Sequence, residues 1–259
     1  ELLRIAAHKP QDTRMTALLD TANTTIDWQT IDTVILDMDG TVLDLHFDNV
    51  FWMQHLPALF ADHNGLPREQ GLGELLMRFQ HHQGQLNWYC TDFWSEQVGF
   101  DIVPHKNDLK HLIRERADAF AFLAAVKNSG RRLILATNAH RSSLELKLTV
   151  QTFAHYFDAM VSSHDYGRPK EDQAFWQQLC EQQNIDPSRS IFVDDSEAVL
   201  DSAQLFGIRD CICVSTPDSE KPARKRLRYP AIDQFAELGI IPALGDIAAL
   251  KAASEPTKK

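Results

Sequence analysis

The chain has 259 residues, of which 44% are hydrophobic and 24% charged, enough to bury one large or two small cores. Its 36 acidic against 26 basic residues give a net charge of -10, which argues against a binder of nucleic acid or of anionic membranes. A phosphate-bearing ligand would then need a local cation, a bound metal or a placed lysine, because the overall field repels it.

Residues 1–30 are mixed and polar and read as a leader or extension; the opening LLRIAA is too short, and lacks the basic lead, for a secretory signal. No apolar run reaches the roughly 20 residues that span a bilayer. TVILDMDGT then gives a short apolar run ending at Asp37 and broken by Gly40, a strand running into a loop. From Asp44 to about Arg116 there is no convincing strand. Val50–Ala61, Arg68–His82 and Leu86–Val98 read as helices, and the last is rich in aromatics. This stretch, 44–116, is expected as a helical cap inserted after the first strand.

Beyond it, strand and helix alternate. Helical patterns over Ala117–Asn128, Arg141–Phe153, Asp172–Gln183 and Ser196–Phe206 are separated by the apolar runs RRLILATN, DAMVSS, SIFVDDS and DCICVS. Short apolar strands bounded by polar residues, each followed by a helix, are the signature of right-handed βαβ units in a parallel sheet. The expected fold is therefore α/β, a Rossmann-like core built from 31–43 and 117–230, with 231–259 as a C-terminal arm and tail. The basic run Arg224–Arg228 is read as part of an exposed arm.

Four cysteines are too few and scattered for a disulfide framework. They are expected as buried free thiols, which fit a reducing cytoplasm. The histidines show no ligand spacing and are read as solvated. The cap aromatics Phe51, Trp52, Trp88, Tyr89, Phe93 and Trp94 are expected mostly as the core of the cap, with one or two free to stack on a base.

Four polar clusters fall just past strand ends: Asp37-Met38-Asp39-Gly40-Thr41, Thr137-Asn138, Lys170, and Asp194-Asp195-Ser196. In an open parallel sheet the carboxyl ends of the strands share one edge, where ligands bind. Taken singly, each cluster is an ordinary cap, turn or surface charge; together they make a poor core and a good site for phosphate and metal. A carboxylate can attack a phosphomonoester dianion only where a cation neutralises both. Asp37 is then nucleophile and metal ligand, and Asp39 is placed to protonate the leaving oxygen and later to activate water. Thr137 and Asn138 offer donors to phosphoryl oxygens, and Lys170 supplies the point charge. The acidic set for Mg²⁺ is Asp37, Asp39, Asp194 and Asp195. Asp44 and Asp48, near the cap hinge, are read as hinge caps or as substrate contacts.

DMDGT, LATN, GRPK and FVDDS, in that order, resemble the haloacid dehalogenase-like (HAD) superfamily over roughly 31–214. The resemblance implies the core and cap just described, Asp195 as direct metal ligand, and Asp194 as an adjacent ligand or support. DMDGTVLDLHFDNVFW, LNWYCTDFWSEQVG, TNAH, YGRPKEDQ and DDSEAVLDSAQLFGIR further resemble the bacterial GMP/IMP nucleotidase group. That implies Mg²⁺-dependent release of phosphate from purine 5′-nucleotides. A sugar-phosphate phosphatase or phosphomutase, and a noncatalytic nucleotide sensor, are the alternatives. The oligomeric state is left open.

Overall fold

The structure is a computed structural model that describes residues 26–247; the extension before Ile26 and the tail after Ile247 lie outside the described residues. Its centre is a six-stranded, wholly parallel sheet in the order β3-β2-β1-β4-β5-β6. β1, Thr33–Leu36, is buried at every position and pairs Thr33 with Arg132 on one side and Ser190 on the other.

After β1 the chain leaves the sheet for the cap. α1, His46–Val50, runs through a π-helical turn, Phe51–His55, into α2, Leu56–Asn64. The sequence pattern predicts one unbroken helix here. Pro57 explains the difference, because a helical proline offers no N–H to the turn before it. The ladder widens at that point, with Leu56 N–H donating to Phe51 O. α3, Arg68–His82, matches its expected span. The third expected helix divides into a 3₁₀ turn, Leu86–Tyr89, and α4, Thr91–Val98, and is followed by α5, Val103–Asp108. Phe51, Leu56, Phe60, Leu75, Phe79, Trp94, Val98 and Ile102 form the cap's own buried core.

The chain re-enters the core beside its exit. Asp44 N–H donates to Arg114 O at 2.9 Å and Arg116 N–H to Val42 O at 3.1 Å, so the two connections are stapled together as a hinge. The core then alternates α6 (Ala119–Asn128), β2 (Arg132–Thr137), α7 (Arg141–Val150), β3 (Ala159–Ser162), α8 (Ser163–Tyr166), α9 (Gln173–Gln183), β4 (Ser190–Asp194), α10 (Glu197–Phe206) and β5 (Asp210–Val214). Side chains along each strand alternate between two apolar layers. Val34, Leu36, Leu133 and Leu135 join the layer under α6 and α7, while Ile35, Ile134, Phe192, Cys211 and Cys213 join the one under α9 and α10. A sheet covered on both faces accounts for strands without polar alternation.

The ends of the core reach further than the composition implies. The arm beyond Pro230 supplies a sixth strand, β6 (Ala231–Ile232), and buries Phe235 and Leu238 in the core. Residues expected as the end of the leader also pack here: Trp28 is buried and its Nε1–H donates to Leu238 O at 2.9 Å. Arg131 anchors both segments, donating to Ile31 O at 2.9 Å and Pro242 O at 2.6 Å. The basic run is largely exposed, as expected, but is tied to the core at both ends, with Arg228 forked onto Asp201 at 2.9 Å and Arg224 donating to Cys213 Sγ at 3.3 Å. Cys180, Cys211 and Cys213 are buried free thiols; Cys90 is free but only half-buried.

Candidate active site

β1 delivers Asp37 to the carboxyl edge of the sheet, where its N–H still bonds Val193 O at 3.0 Å. The loop then turns sharply. Gly40 adopts φ +85°, and a Cβ there would stand 2.9 Å from both Asp195 Cγ and Pro217 Cβ. Only glycine satisfies both the left-handed backbone and the close approach.

Three carboxylates from two adjacent strand ends meet beside this turn. Asp37, Asp194 and Asp195 each offer an oxygen within 4.8 Å of the others. Lys170, 2% exposed, reaches them from the loop before α9, with Nζ 2.5 Å from Asp37 Oδ1 and 2.7 Å from Asp194 Oδ2. Burial lifts the Asp37 carboxyl to about 7, with Asp194 adding to the lift and Lys170 opposing it. Burial and then the neighbouring Asp194 and Asp37 push Asp195 up to about 8. Asp194 is raised by burial as well, despite Lys170 and the Ser196 N–H that donates to it at 2.7 Å. Burial disfavours the charge on Lys170, but Asp194 and Asp37 outweigh it and hold its pKa above the ordinary lysine value.

One ammonium among two buried carboxylates and a half-buried third leaves an excess of negative charge with little solvent around it. The donors are all oxygens, the ligand type that Mg²⁺ takes, and a divalent cation would relieve the repulsion that lifts these acids. Asp37, Asp194 and Asp195 therefore fit a magnesium ion.

Asp39 corrects the expectation drawn from sequence: its carboxylate is not part of this trio. The reversal at Gly40 turns it toward the cap, where Lys147 Nζ holds its Oδ1 at 2.6 Å. Lys147, 2% exposed on α7, also donates to Asp48 Oδ2 of α1 at 2.7 Å. Asp48 meets a second buried lysine, Lys106 of α5, at 3.4 Å, and that ammonium lies 4.7 Å from the Phe51 ring centroid and 5.0 Å from that of Trp52. Burial pushes Asp39 up to about 7, Lys147 opposing and Asp48 and Asp37 adding. Asp48 goes the other way, its burial outweighed by Lys147 and Lys106. Raised this far, Asp39 can carry a proton near neutral pH, while Asp48, held down by its two lysines, stays ionised. Asp44, the other hinge acid, caps the His46 N–H at 2.9 Å and pairs with Arg114 at 3.2 Å, which makes it a hinge cap.

Thr137 accepts from Ala139 N–H at 3.0 Å, leaving its own hydroxyl hydrogen to donate. Asn138, expected as a donor to phosphate, is committed at both ends of its amide: Oδ1 accepts Lys170 N–H at 2.9 Å and Nδ2 donates to Glu171 Oε2 at 3.0 Å. It fixes the loop that carries Lys170. The second oxygen of Glu171 accepts Tyr89 O–H from the cap at 2.6 Å. Lys147, Lys106, Glu171 and Tyr89 are the site residues that sequence reasoning missed. Lys147 lies on the inward face of α7 with Ser143 and Leu144, a face that the structure and not the sequence reveals. The cap aromatics follow expectation in part, with Phe51 and Trp94 buried and Trp52, Trp88 and Phe93 packed partly against them.

Known proteins resemble this chain in sequence and in fold. The chain is 41% identical over 219 residues to the GMP/IMP nucleotidases YrfG of Escherichia coli and Shigella flexneri, covering 85% of this chain and 98% of each relative. A HAD phosphatase structure from Thermococcus onnurineus aligns with TM-score 0.67 at 18% identity, over 80% of this chain and 96% of that one. A putative beta-phosphoglucomutase from Thermotoga maritima aligns at 0.55 and 20%, over 86% and 99%. Residues 31–207 match the haloacid dehalogenase-like hydrolase family, so the fold, the order of the strand-end motifs and the sequence relatives agree: this chain belongs to that family and is a hydrolase.

Proposed function

We propose that the chain is a magnesium-dependent phosphomonoesterase that hydrolyses purine 5′-mononucleotides, GMP and IMP, to nucleoside and phosphate. The observation that carries the reading is the trio Asp37, Asp194 and Asp195 with the buried Lys170 against it and a separately held Asp39 beside it. Mg²⁺ held by the trio would supply charge neutralisation for an anionic substrate meeting an anionic nucleophile.

The residues divide the work as follows. An Asp37 oxygen attacks phosphorus and the bond from phosphorus to the ester oxygen breaks, leaving an aspartyl-phosphate. The proton on Asp39 passes to the departing ester oxygen, releasing the nucleoside. Asp39, now ionised, takes a proton from water as that water attacks phosphorus. The bond to Asp37 breaks, phosphate leaves, and Asp39 again holds its proton. Lys170 and the Thr137 hydroxyl stabilise charge on the phosphoryl oxygens, while Asn138 keeps Lys170 in place. These groups read only the phosphoryl end. The choice of nucleotide falls to the cap, and the 41% identity to the YrfG nucleotidases supports GMP and IMP as the choice.

A phosphate-release screen over nucleotides and sugar phosphates with Mg²⁺ tests the reading. IMP and GMP should exceed AMP, pyrimidine nucleotides and sugar phosphates by at least about tenfold in kcat/KM, as expected where a site hydrogen-bonds one base edge. EDTA should abolish turnover. Asp37→Asn should lower it by about a thousandfold or more. A profile flat across nucleotides, or highest for a sugar phosphate, removes the nucleotidase assignment. Activity of Asp37→Asn above about a tenth of the parent removes the covalent route.

A further inference from the structure

At the seam between cap and core lies a second group of ligating side chains that the proposed hydrolysis does not use. Cys90 comes from the cap just before α4, His140 from the loop after β2, and His164 from α8 after β3. One ligand atom from each lies within 4.8 Å of the others. The sequence reading took these histidines as solvated; separations of 50 and 24 residues along the chain hide a set that only the sheet topology brings together.

Three details distinguish this group from ordinary packing. His164 Nε2 is buried and has no hydrogen-bond partner, an unsatisfied position that calls for an occupant. His140 is oriented as metal-bound imidazoles are: Nδ1 lies 2.7 Å from Thr91 Oγ1 and 3.1 Å from Ser142 Oγ, which leaves the Nε2 lone pair to bind. His164 repeats the pattern more loosely, with Nδ1 3.5 Å from Ser162 Oγ. Cys90 Sγ accepts the Phe93 N–H at 3.4 Å from the first turn of α4, the end of a helix that favours an anionic sulfur. A carboxylate stands by as a fourth donor, Asp92 Oδ2 being 3.8 Å from His140 Nε2.

We propose that Cys90, His140 and His164 form a binding site for a borderline-soft divalent cation of the zinc type, with Asp92 or water in the fourth position. Two imidazoles, a thiolate and one oxygen are a tetrahedral zinc donor set and a poor one for magnesium. Tetrahedral zinc separates such atoms by about 3.3–3.7 Å, within reach of small side-chain rotations from the present arrangement. Because Cys90 and Asp92 belong to the cap and the histidines to the core, the ion would join the two across their seam, two residues beyond Asn138.

The test uses the full chain, stripped of metal and then titrated with Co²⁺ in saturating Mg²⁺. The expected result is one Co²⁺ per chain with intense tetrahedral d–d bands and a thiolate-to-cobalt charge-transfer band, displaced by Zn²⁺. Cys90→Ser should abolish the charge-transfer band. Cys90→Ser and His164→Asn should each weaken Zn²⁺ binding by at least about a hundredfold, since loss of a mere orienting partner costs about 10–100-fold. Thr91→Val, which removes such a partner, should cost about tenfold. Asp195→Asn should keep the band, which separates this site from the carboxylate trio. Circular dichroism and a melting curve verify that each variant is folded. Cobalt bound with octahedral, oxygen-only spectra, or a spectrum and affinity unchanged in folded Cys90→Ser, would overturn the proposal.

Discussion

Lys147 carries two acids on one ammonium. It donates at 2.6 Å to Asp39 and at 2.7 Å to Asp48, and it is 2% exposed. Lys147→Met keeps the volume and removes the charge, leaving two carboxylates facing each other in a dry site. Breaking a buried pair in this way costs about 3–5 kcal/mol, and urea denaturation should show a loss of that order. Asp48→Asn in the same background should recover part of it, because one of the stranded charges is gone. A double-mutant cycle showing simple additivity would contradict the shared pairing. The same comparison shows what sequence can reveal at this scale. Asp37, Thr137, Asp194 and Asp195 are legible because each closes or directly follows an apolar strand run, and parallel strands share an edge; Lys170, on the loop between α8 and α9, is legible only from the GRPK motif. Lys147 and Lys106 are not, because a lysine inside a helix reads as solvated until its helix face is known. The partners of Asn138 are not legible either, since Lys170 and Glu171 lie on another loop.

The elements tell a similar story, strongest where a pattern is long. α3 was legible from end to end, whereas β6 has two residues and offers no periodicity to detect. The π-helical turn at Phe51–His55 depends on one proline displacing one hydrogen bond, below the resolution of a hydrophobic pattern. Cap and core are likewise joined beside Lys170 by a single bond, from Tyr89 of the cap to Glu171, at 2.6 Å. Tyr89→Phe removes the hydroxyl and leaves the ring. Losing a hydrogen bond to a charged acceptor costs about 1.5–3 kcal/mol at most, so kcat/KM for IMP should fall by roughly tenfold to a hundredfold. p-Nitrophenyl phosphate, whose leaving group needs little from the cap, should lose far less. Equal losses for the two substrates, measured side by side, would show that the bond serves the core and not the cap.

At the scale of the whole molecule, the raised acids of the site couple stability to pH. Asp37 and Asp195 are raised to about 7 and about 8. An acid raised in the folded state contributes stability while it is protonated and loses that contribution as pH climbs through its folded pKa. The metal-free protein should therefore weaken as pH climbs from about 4, where the unfolded acids ionise, to about 8, where the folded ones have done so, and protons should compete with Mg²⁺ across that window. The rise in melting temperature caused by Mg²⁺ is expected to be larger at pH 8.5 than at pH 6, measured by differential scanning fluorimetry against EDTA. A shift that shrinks with pH would show that the ion binds elsewhere. No helix among the described residues is long and apolar enough to cross a membrane, in keeping with the sequence.

The position of β1 has a consequence for how the protein is made. It sits third in the sheet, yet its neighbours β2 and β4 begin at Arg132 and Ser190, far downstream of Thr33. A chain emerging from the ribosome completes the cap, with its own apolar core around Trp94, before the strand carrying Asp37 has any partner. Such nonlocal pairing is slow and leaves an apolar edge open, which a nascent chain must keep from aggregating. Pulse-labelled hydrogen exchange during refolding should find amides of α2 and α3 protected before those of β1. The catalytic edge therefore exists only once β4 arrives with Asp194 and Asp195 and closes the second side of the first strand, long after the cap is complete.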